Sequence, residues 1–136
     1  MASQTTTAPE VRPLVAGNPE SLLLQRLLGL YEEERQIYGR VLDLSRQQGE
    51  IVRQGGGLGS VRRVLEQKKN CLEIIGRLET KERRNKQEWE RRRGTFSANG
   101  RRRLQSSLNE VTNLIEEILT CEERNDLYLI EQARTI

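Results

Sequence analysis

Apolar residues recur every three or four positions along most of the chain, which is the spacing of amphipathic α-helices. This spacing continues over three long stretches, each separated from the next by a short glycine-containing turn. Long helices joined by short connections pack as antiparallel neighbours. The pattern therefore predicts an all-α fold, an antiparallel, coiled-coil-like bundle of three long helices over about residues 19–54, 61–93 and 98–132.

The residues at the expected ends of the first two helices support these boundaries. Asn18 is a favourable N-cap, and Pro19 suits the first position of a helix because its missing N–H would have no partner there. The glycine-rich segment "GGGLGS" at 55–60 ends the first helix and offers Ser60 as the N-cap of the second.

The start of the third helix lies between Ser97 and Arg103. Three arginines in a first turn would oppose the positive end of the helix dipole. This favours an earlier start with Ser97 as the cap, although Gly100 then lies inside the helix.

The first 17 residues are rich in Thr, Pro and Ala and have no hydrophobic period. They predict a disordered tail (1–17) before a single helical domain (18–136). The tail lacks the basic start and the apolar core of a signal peptide, and no stretch has the roughly 18 apolar residues of a membrane span. We therefore expect a cytoplasmic protein with reduced thiols.

Charge is distributed unevenly. Residues 81–103 hold ten basic and three acidic residues, whereas residues 104–136 hold two basic and seven acidic ones. We expect the acidic segment to fold back beside the second helix and to supply carboxylates to the arginines. The basic segment is interpreted as a solvated helix tip, with an acidic protein partner or nucleic acid as alternatives. The candidate patch comprises Arg91, Arg92, Arg93, Arg101, Arg102 and Arg103.

The same segment contains the only Trp and the only Phe of the chain. Aromatic rings among arginines are typical of surfaces that stack single-stranded bases. The simpler interpretation is that Trp89 packs across the tip against Phe96 or Leu104.

Few residues suit catalysis. The chain has no histidine, and its two cysteines lie far apart, without partners at zinc-ligand spacing. "GGGLGS" lacks the Gly-Lys-Ser/Thr ending of a phosphate-binding loop. We expect no enzyme activity, no metal and no cofactor. Cys71 and Cys121 are interpreted as small buried apolar residues, with a regulatory disulfide as the alternative.

The third helix ends in an apolar run: Leu127, Tyr128, Leu129 and Ile130. Four consecutive residues cannot all face one seam of a helix, so some must point to solvent or to a partner. The run is therefore a candidate binding surface, and ordinary packing near a helix end is the alternative. The acidic neighbours disfavour binding to anionic lipid.

Three segments together resemble the FlgN-type flagellar export chaperones, over about residues 20 to 132. They are "LLGLYEEERQIYGRVLDL", "VRRVLEQKKNCLEIIGRLETKERR" and "LNEVTNLIEEILTCEERNDLYLIEQ". The basic segment 83–103 does not match the pattern of that family.

The resemblance implies a cytoplasmic chaperone of bacterial type III secretion. Such a protein would bind the C-terminal helical segments of hook–filament junction proteins, prevent their premature assembly and deliver them to the export apparatus. It places client binding on the helix that follows Asn125, at the apolar run 127–130. The alternatives from other classes are a basic helical hairpin that binds nucleic acid and a self-associating coiled-coil scaffold.

Overall fold

The computed structural model describes residues 18–134, and all the regular structure in that range is helical. The all-α prediction is therefore confirmed. The predicted disordered tail, 1–17, lies outside the described residues. The helices are α1 (Pro19–Arg53), α2 (Leu58–Lys81), α3 (Arg83–Arg92) and α4 (Ala98–Arg134), with a 3₁₀ turn at Arg93–Thr95 between α3 and α4.

α1 is the central element and packs against both α2 and α4, while α2 and α4 have few close contacts with each other. α1 and α4 run in the same direction, as contacts at both of their ends show. The Glu20 carboxylate at the start of α1 accepts a hydrogen bond from the Ser97 hydroxyl, just before α4, at 2.7 Å. Arg53 at the end of α1 donates to the Tyr128 hydroxyl of α4 at 2.9 Å.

α2 and α3 run in the opposite direction along α1. Early in α2, Lys68 donates to Gln48 in the last part of α1, at 2.9 Å. Glu82, after α2, forms an ion pair with Arg26 in the first part of α1, at 3.6 Å. The chain therefore runs up, down and up again, with α1 between its two neighbours.

The core follows α1. Near the start of this helix, its leucines and Tyr31 pack with Trp89, Phe96 and residues of early α4. Further along, Val41 and Leu42 pack with Ile118 and Cys121 of α4. The buried positions of α1 include adjacent pairs, which lie on neighbouring faces of a helix. They form a broad stripe, because α1 has neighbours on two sides. The buried residues of α1 are Leu23, Leu24, Leu27, Leu30, Tyr31, Glu34, Val41, Leu42, Leu44, Ser45, Gln48, Gly49 and Val52.

The ends of α1 and α2 agree only in part with expectation. Asn18 is the N-cap of α1, since its side-chain oxygen accepts from the backbone N–H of Glu20 at 2.9 Å. The prediction that Ser60 caps the second helix is wrong. The helix begins at Leu58, and Gly57 occupies the cap position without any side-chain bond. The turn is closed by Gly55, whose φ of +73° favours glycine.

A single second helix over 61–93 was also a wrong prediction. The helix breaks at Glu82, where φ is −100° and ψ is 9°. Between Leu78 and Trp89, the positions that face α1 are polar and include Glu82, Asn85 and Lys86. The Asn85 amide donates to the Glu82 carboxylate at 2.6 Å, and the Lys86 ammonium lies 5.8 Å from the Tyr31 ring centroid. Because no apolar residue anchors this stretch, the helix axis can change there, and α3 places Trp89 in the core.

The third helix begins early, as the helix-dipole argument favoured. α4 starts at Ala98, and the Ser97 hydroxyl accepts from the backbone N–H of Gly100 at 3.0 Å. Gly100 lies inside the helix and is buried, where it passes close to Glu20. The helix continues to Arg134, slightly beyond the predicted end.

α1 and α4 approach each other closely at Gly49 and Asn125. Asn125 is buried, and its amide donates to the backbone carbonyl of Ser45 at 2.8 Å. A Cβ at Gly49 would overlap the side-chain oxygen of Asn125. Asn125 cannot easily move aside, since that would break a buried hydrogen bond.

These contacts predict opposite effects for two alanine substitutions within α1. Gly39→Ala meets nothing within 4 Å and should stabilise the protein by about 0.5–1 kcal/mol through helix propensity. Gly49→Ala gains the same helix propensity, but its Cβ clashes with Asn125. We therefore expect its free energy of unfolding to fall by roughly 1–2 kcal/mol. Urea denaturation measures both. Equal stabilisation by the two variants would contradict the close approach.

Candidate functional site

Several large apolar side chains of α2 and α4 remain exposed. On α2 they include Leu65 and Leu72, of which Leu72 is 50% exposed. On α4 they include Leu119, at 63%, and Leu129. Exposed leucines that lie singly need no explanation, but grouped ones mark interaction surfaces. Leu65, Leu72 and Leu129 belong to facing sides of α2 and α4, which do not pack closely together.

The spacing of residues shows which side they occupy. Leu58, Leu65 and Leu72 follow one another at seven-residue intervals on α2. On α4 the same interval joins Leu108, Ile115, Glu122 and Leu129. Residues seven apart lie on one face of a helix. Because Glu122 forms an ion pair with Lys68 of α2, this α4 face looks toward α2.

A groove therefore runs between α2 and α4, with α1 beneath it. Near Lys68 it forms an open depression of about 430 Å³, with Leu65, Leu72 and Glu122 in its walls. Lys68 itself is buried and also bonds to Gln48 of α1. The groove has apolar walls with a polar contact across its floor, which is suited to a partner that presents an amphipathic helix.

The predicted client-binding run does not form one surface. Tyr128 faces α1, where its hydroxyl accepts from Arg53 and the guanidinium lies 5.0 Å from the ring centroid. Leu129 lies on the groove side of α4. Leu127 and Ile130, which are 59% and 48% exposed, do not belong to the seven-residue series of the groove face. Of the four predicted residues, only Leu129 belongs to the groove.

Most of the predicted arginine patch is engaged within its own part of the chain. Arg91 and Arg92 pair with Glu88 at 2.5 and 3.1 Å. Arg93 pairs with Glu90 at 3.1 Å. The Arg101 guanidinium donates to the backbone carbonyl of Phe96 at 2.6 Å, which fastens the 3₁₀ turn to α4. Arg102 and Arg103 are exposed.

The acidic residues of α4 were expected to neutralise these arginines, and that expectation is wrong. Glu110 and Glu117 of α4 pair instead with arginines of α1, at 3.8 and 4.0 Å. The reason is topological, since α4 lies along α1 in the same direction. Its acidic half is therefore far from the basic tip.

The two aromatic residues of the basic tip are buried. Trp89 and Phe96 pack against each other with ring centroids 4.8 Å apart, as expected for a structural role. The Arg92 guanidinium lies 5.2 Å from the Phe96 ring centroid. Stacking of nucleic-acid bases needs accessible ring faces. Neither ring presents one to solvent.

The strongest acid–base perturbation lies at the α1–α2 interface. Glu34 is only 3% exposed, and its Oε2 has no hydrogen-bond partner among the described residues. Burial raises the pKa of Glu34 to about 8, and the neighbouring Glu79 carboxylate adds to the increase. The hydrogen bond from Glu34 lowers the pKa of Glu79, which also pairs with Lys86 at 2.6 Å. The pair thus shares one proton beside Lys86.

The described residues offer little else for chemistry. Among residues 18–134, no three potential metal ligands of the His, Cys, Asp or Glu type come together. Both cysteines are free thiols. Cys121 is buried, and Cys71 packs against the same cluster, as expected for small apolar residues. Across this same range, no helix is long and apolar enough to cross a membrane.

Comparison with known proteins gives no relative. A scan against protein-family models, a search of curated proteins and a search of solved structures each found no match.

Sequence reasoning missed the groove residues Leu65 and Leu72. A signal was present in the seven-residue spacing of Leu58, Leu65 and Leu72, one position beyond the stripe that packs on α1. A second apolar stripe beside the first indicates a second packing partner. The sequence could not show that α4 leaves this stripe open.

The buried carboxyl pair predicts a pH-dependent stability. Glu34 has a higher pKa in the folded protein than in the unfolded chain. Its contribution to the stability of the folded protein is therefore fully present below about pH 4.5 and is lost as pH rises through 8. Glu34→Gln should keep the hydrogen bond to Glu79 without a titrating proton. As the pH rises from 6 to 9, the free energy of unfolding of the variant should increase relative to that of the wild type by on the order of 2 kcal/mol.

Chemical denaturation at a series of pH values measures this difference. Glu33→Gln, a change at the exposed neighbouring position, is the matched control and should leave the pH dependence unchanged. A constant difference between Glu34→Gln and wild type across this range would disprove the shared proton.

Proposed function

We propose that this protein is a chaperone that binds an amphipathic helical segment of a partner in the groove between α2 and α4. The observation that carries the proposal is the pair of apolar stripes that face each other across the groove without packing together. A helix bound there would cover Leu65 and Leu72 on one side and Leu108 and Leu129 on the other. It would complete a bundle of four helices.

We further propose that the partner is the kind of client that the sequence resemblance implies, the C-terminal helical segment of a flagellar hook–filament junction protein. Such segments form coiled coils on assembly, so their apolar faces need cover before export. This proposal takes the three long helices as an antiparallel, coiled-coil-like scaffold that acts in the cytoplasm. It assigns no catalysis to the groove.

The groove, rather than the apolar run 127–130, is the surface we assign to the client. Leu129 extends the groove toward the end of α4, whereas Tyr128 is already held by Arg53. Leu127 and Ile130 lie outside the groove on the outer side of α4. They are a separate small apolar patch whose role the same experiment tests.

Binding of a labelled client segment, followed by fluorescence anisotropy, tests the proposal. Leu65→Glu and Leu72→Glu should each weaken binding by about tenfold or more, because loss of a central apolar contact costs roughly 1.4 kcal/mol or more. Leu22→Glu is the matched control, since Leu22 is similarly exposed but lies on α1 away from the groove. It should bind as the wild type does.

Leu127→Glu with Ile130→Glu distinguishes the two apolar surfaces. We expect this double variant to bind within about twofold of the wild type. Loss of binding in the double variant alone would move the client site to the outer patch. No binding of any junction-protein segment by the wild type would refute the chaperone proposal.

The nucleic-acid alternative is tested in the same assay with single-stranded DNA as the probe. The burial of both aromatic rings and the pairing of Arg91–Arg93 with Glu88 and Glu90 weigh against it. We expect no salt-dependent binding. Binding that falls steeply with salt and is lost when Arg91–Arg93 are replaced by Glu would favour it.

A further inference from the structure

A cleft opens between α3 and α4 at the basic end of the molecule. Its volume is about 160 Å³, and Leu27, Trp89, Leu104 and Leu108 supply apolar walls. An apolar cavity of roughly this size in a protein holds a benzene-sized group. The cleft therefore has room for one large apolar side chain.

Cations dominate the polar part of the cleft. Lys86, Arg93 and Arg101 line it, and Glu90 is the single carboxylate in its lining. Arg93 contacts Glu90 through one guanidinium nitrogen, at 3.1 Å. A guanidinium has five N–H donors, so this contact leaves others for a ligand. The charge and shape of the cleft fit an apolar side chain with a carboxylate beside it.

The cleft lies on the same face of α4 as the groove. Arg101 and Leu108 in the cleft begin the seven-residue series that continues to Glu122 and Leu129. From Arg101 to Leu129 the series rises roughly 42 Å along α4, at about 1.5 Å per residue. One end of a helix bound in the groove would consequently reach the cleft.

The polarity of that helix follows from electrostatics. The C-terminal end of a helix carries partial negative charge and carbonyl groups without intrahelical partners. Cations stabilise this end, and a carboxylate in the last turn would bind them more strongly. The N-terminal end carries partial positive charge and would be repelled.

We propose that the partner helix binds with its C-terminal turn in this cleft. A carboxylate of that turn pairs with Arg93, and one apolar side chain of the turn enters the space beside Trp89. This inference rests on the proposed binding of a helix in the α2–α4 groove. It adds the class of ligand, a helix with an acidic C-terminal turn, and the direction in which it lies.

Trp89 gives a direct readout, because it is the only tryptophan of the chain and lines the cleft. The probe is a designed amphipathic peptide of about 20 residues, roughly 30 Å long as a helix, without tryptophan and with two glutamates in its last turn. A dansyl group is attached to a lysine side chain near either its C-terminal or its N-terminal end. Energy transfer from Trp89 should be strong for the C-terminal label and weak for the N-terminal one.

Binding affinity provides the second readout. A peptide of the same composition, with the glutamates in its first turn and an amidated C-terminus, should bind about tenfold more weakly. Amidating the C-terminus of the first peptide removes its α-carboxylate and keeps its glutamates. If amidation weakens binding, the carboxylate that pairs with Arg93 is the α-carboxylate. If amidation leaves the affinity unchanged, it is a glutamate side chain.

Two arginine variants form a matched pair. Arg93→Glu should abolish the preference for the acidic C-terminal turn. Arg91→Glu should retain it, since Arg91 is also exposed and also pairs with a carboxylate three residues earlier but does not line the cleft. Circular dichroism checks that both variants remain helical.

The outcomes separate the two proposals. Tight binding of both peptides with equal affinity and equal energy transfer would refute the proposed orientation of the helix. It would leave the proposal that a helix binds in the groove unaffected. Stronger transfer from the N-terminal label would reverse the polarity. If neither peptide binds and no natural client segment binds either, the proposed function fails and the polarity fails with it.

Discussion

The structure depends on the burial of α1 on two sides. An isolated helix of this length buries nothing, and its stability comes from the faces that its neighbours cover. α4 covers one side of α1 along its whole length, and α2 with α3 covers the other. Since α1 occupies the middle, its two neighbours are held apart. The open space between them is a consequence of this arrangement, and the proposed function uses it.

Polar groups inside the seams fix how the helices align. Asn125 bonds to the carbonyl of Ser45, so α4 can lie along α1 in one register only. Lys68 of α2 bonds to Gln48 of α1 and to Glu122 of α4, which fixes α2 along both helices. A buried polar group that loses its partner costs more than an apolar mismatch, so such contacts select one alignment among many that apolar stripes would permit.

At the basic end of the molecule, some arginines bond within the fold and others are exposed. Arg101 fastens the turn before α4, while Trp89 and Phe96 close the end of the core. These contacts give Trp89, Phe96 and Arg101 of this segment a structural role. They also leave a cationic cleft that continues the groove. A helix bound there would be guided by apolar contacts along its length and by charge at one end.

The sequence determined what depends on neighbouring residues along the chain. Helical periodicity, the cap at Asn18, the early start of α4 after Ser97 and the absence of histidine could all be read from it. The bend at Glu82, the outward direction of Leu127 and the partners of the α4 carboxylates could not. Periodicity shows that a helix has an apolar face, but not which neighbour covers that face. Only the tertiary structure decided that α2 and α4 each cover α1 and leave the groove between them open.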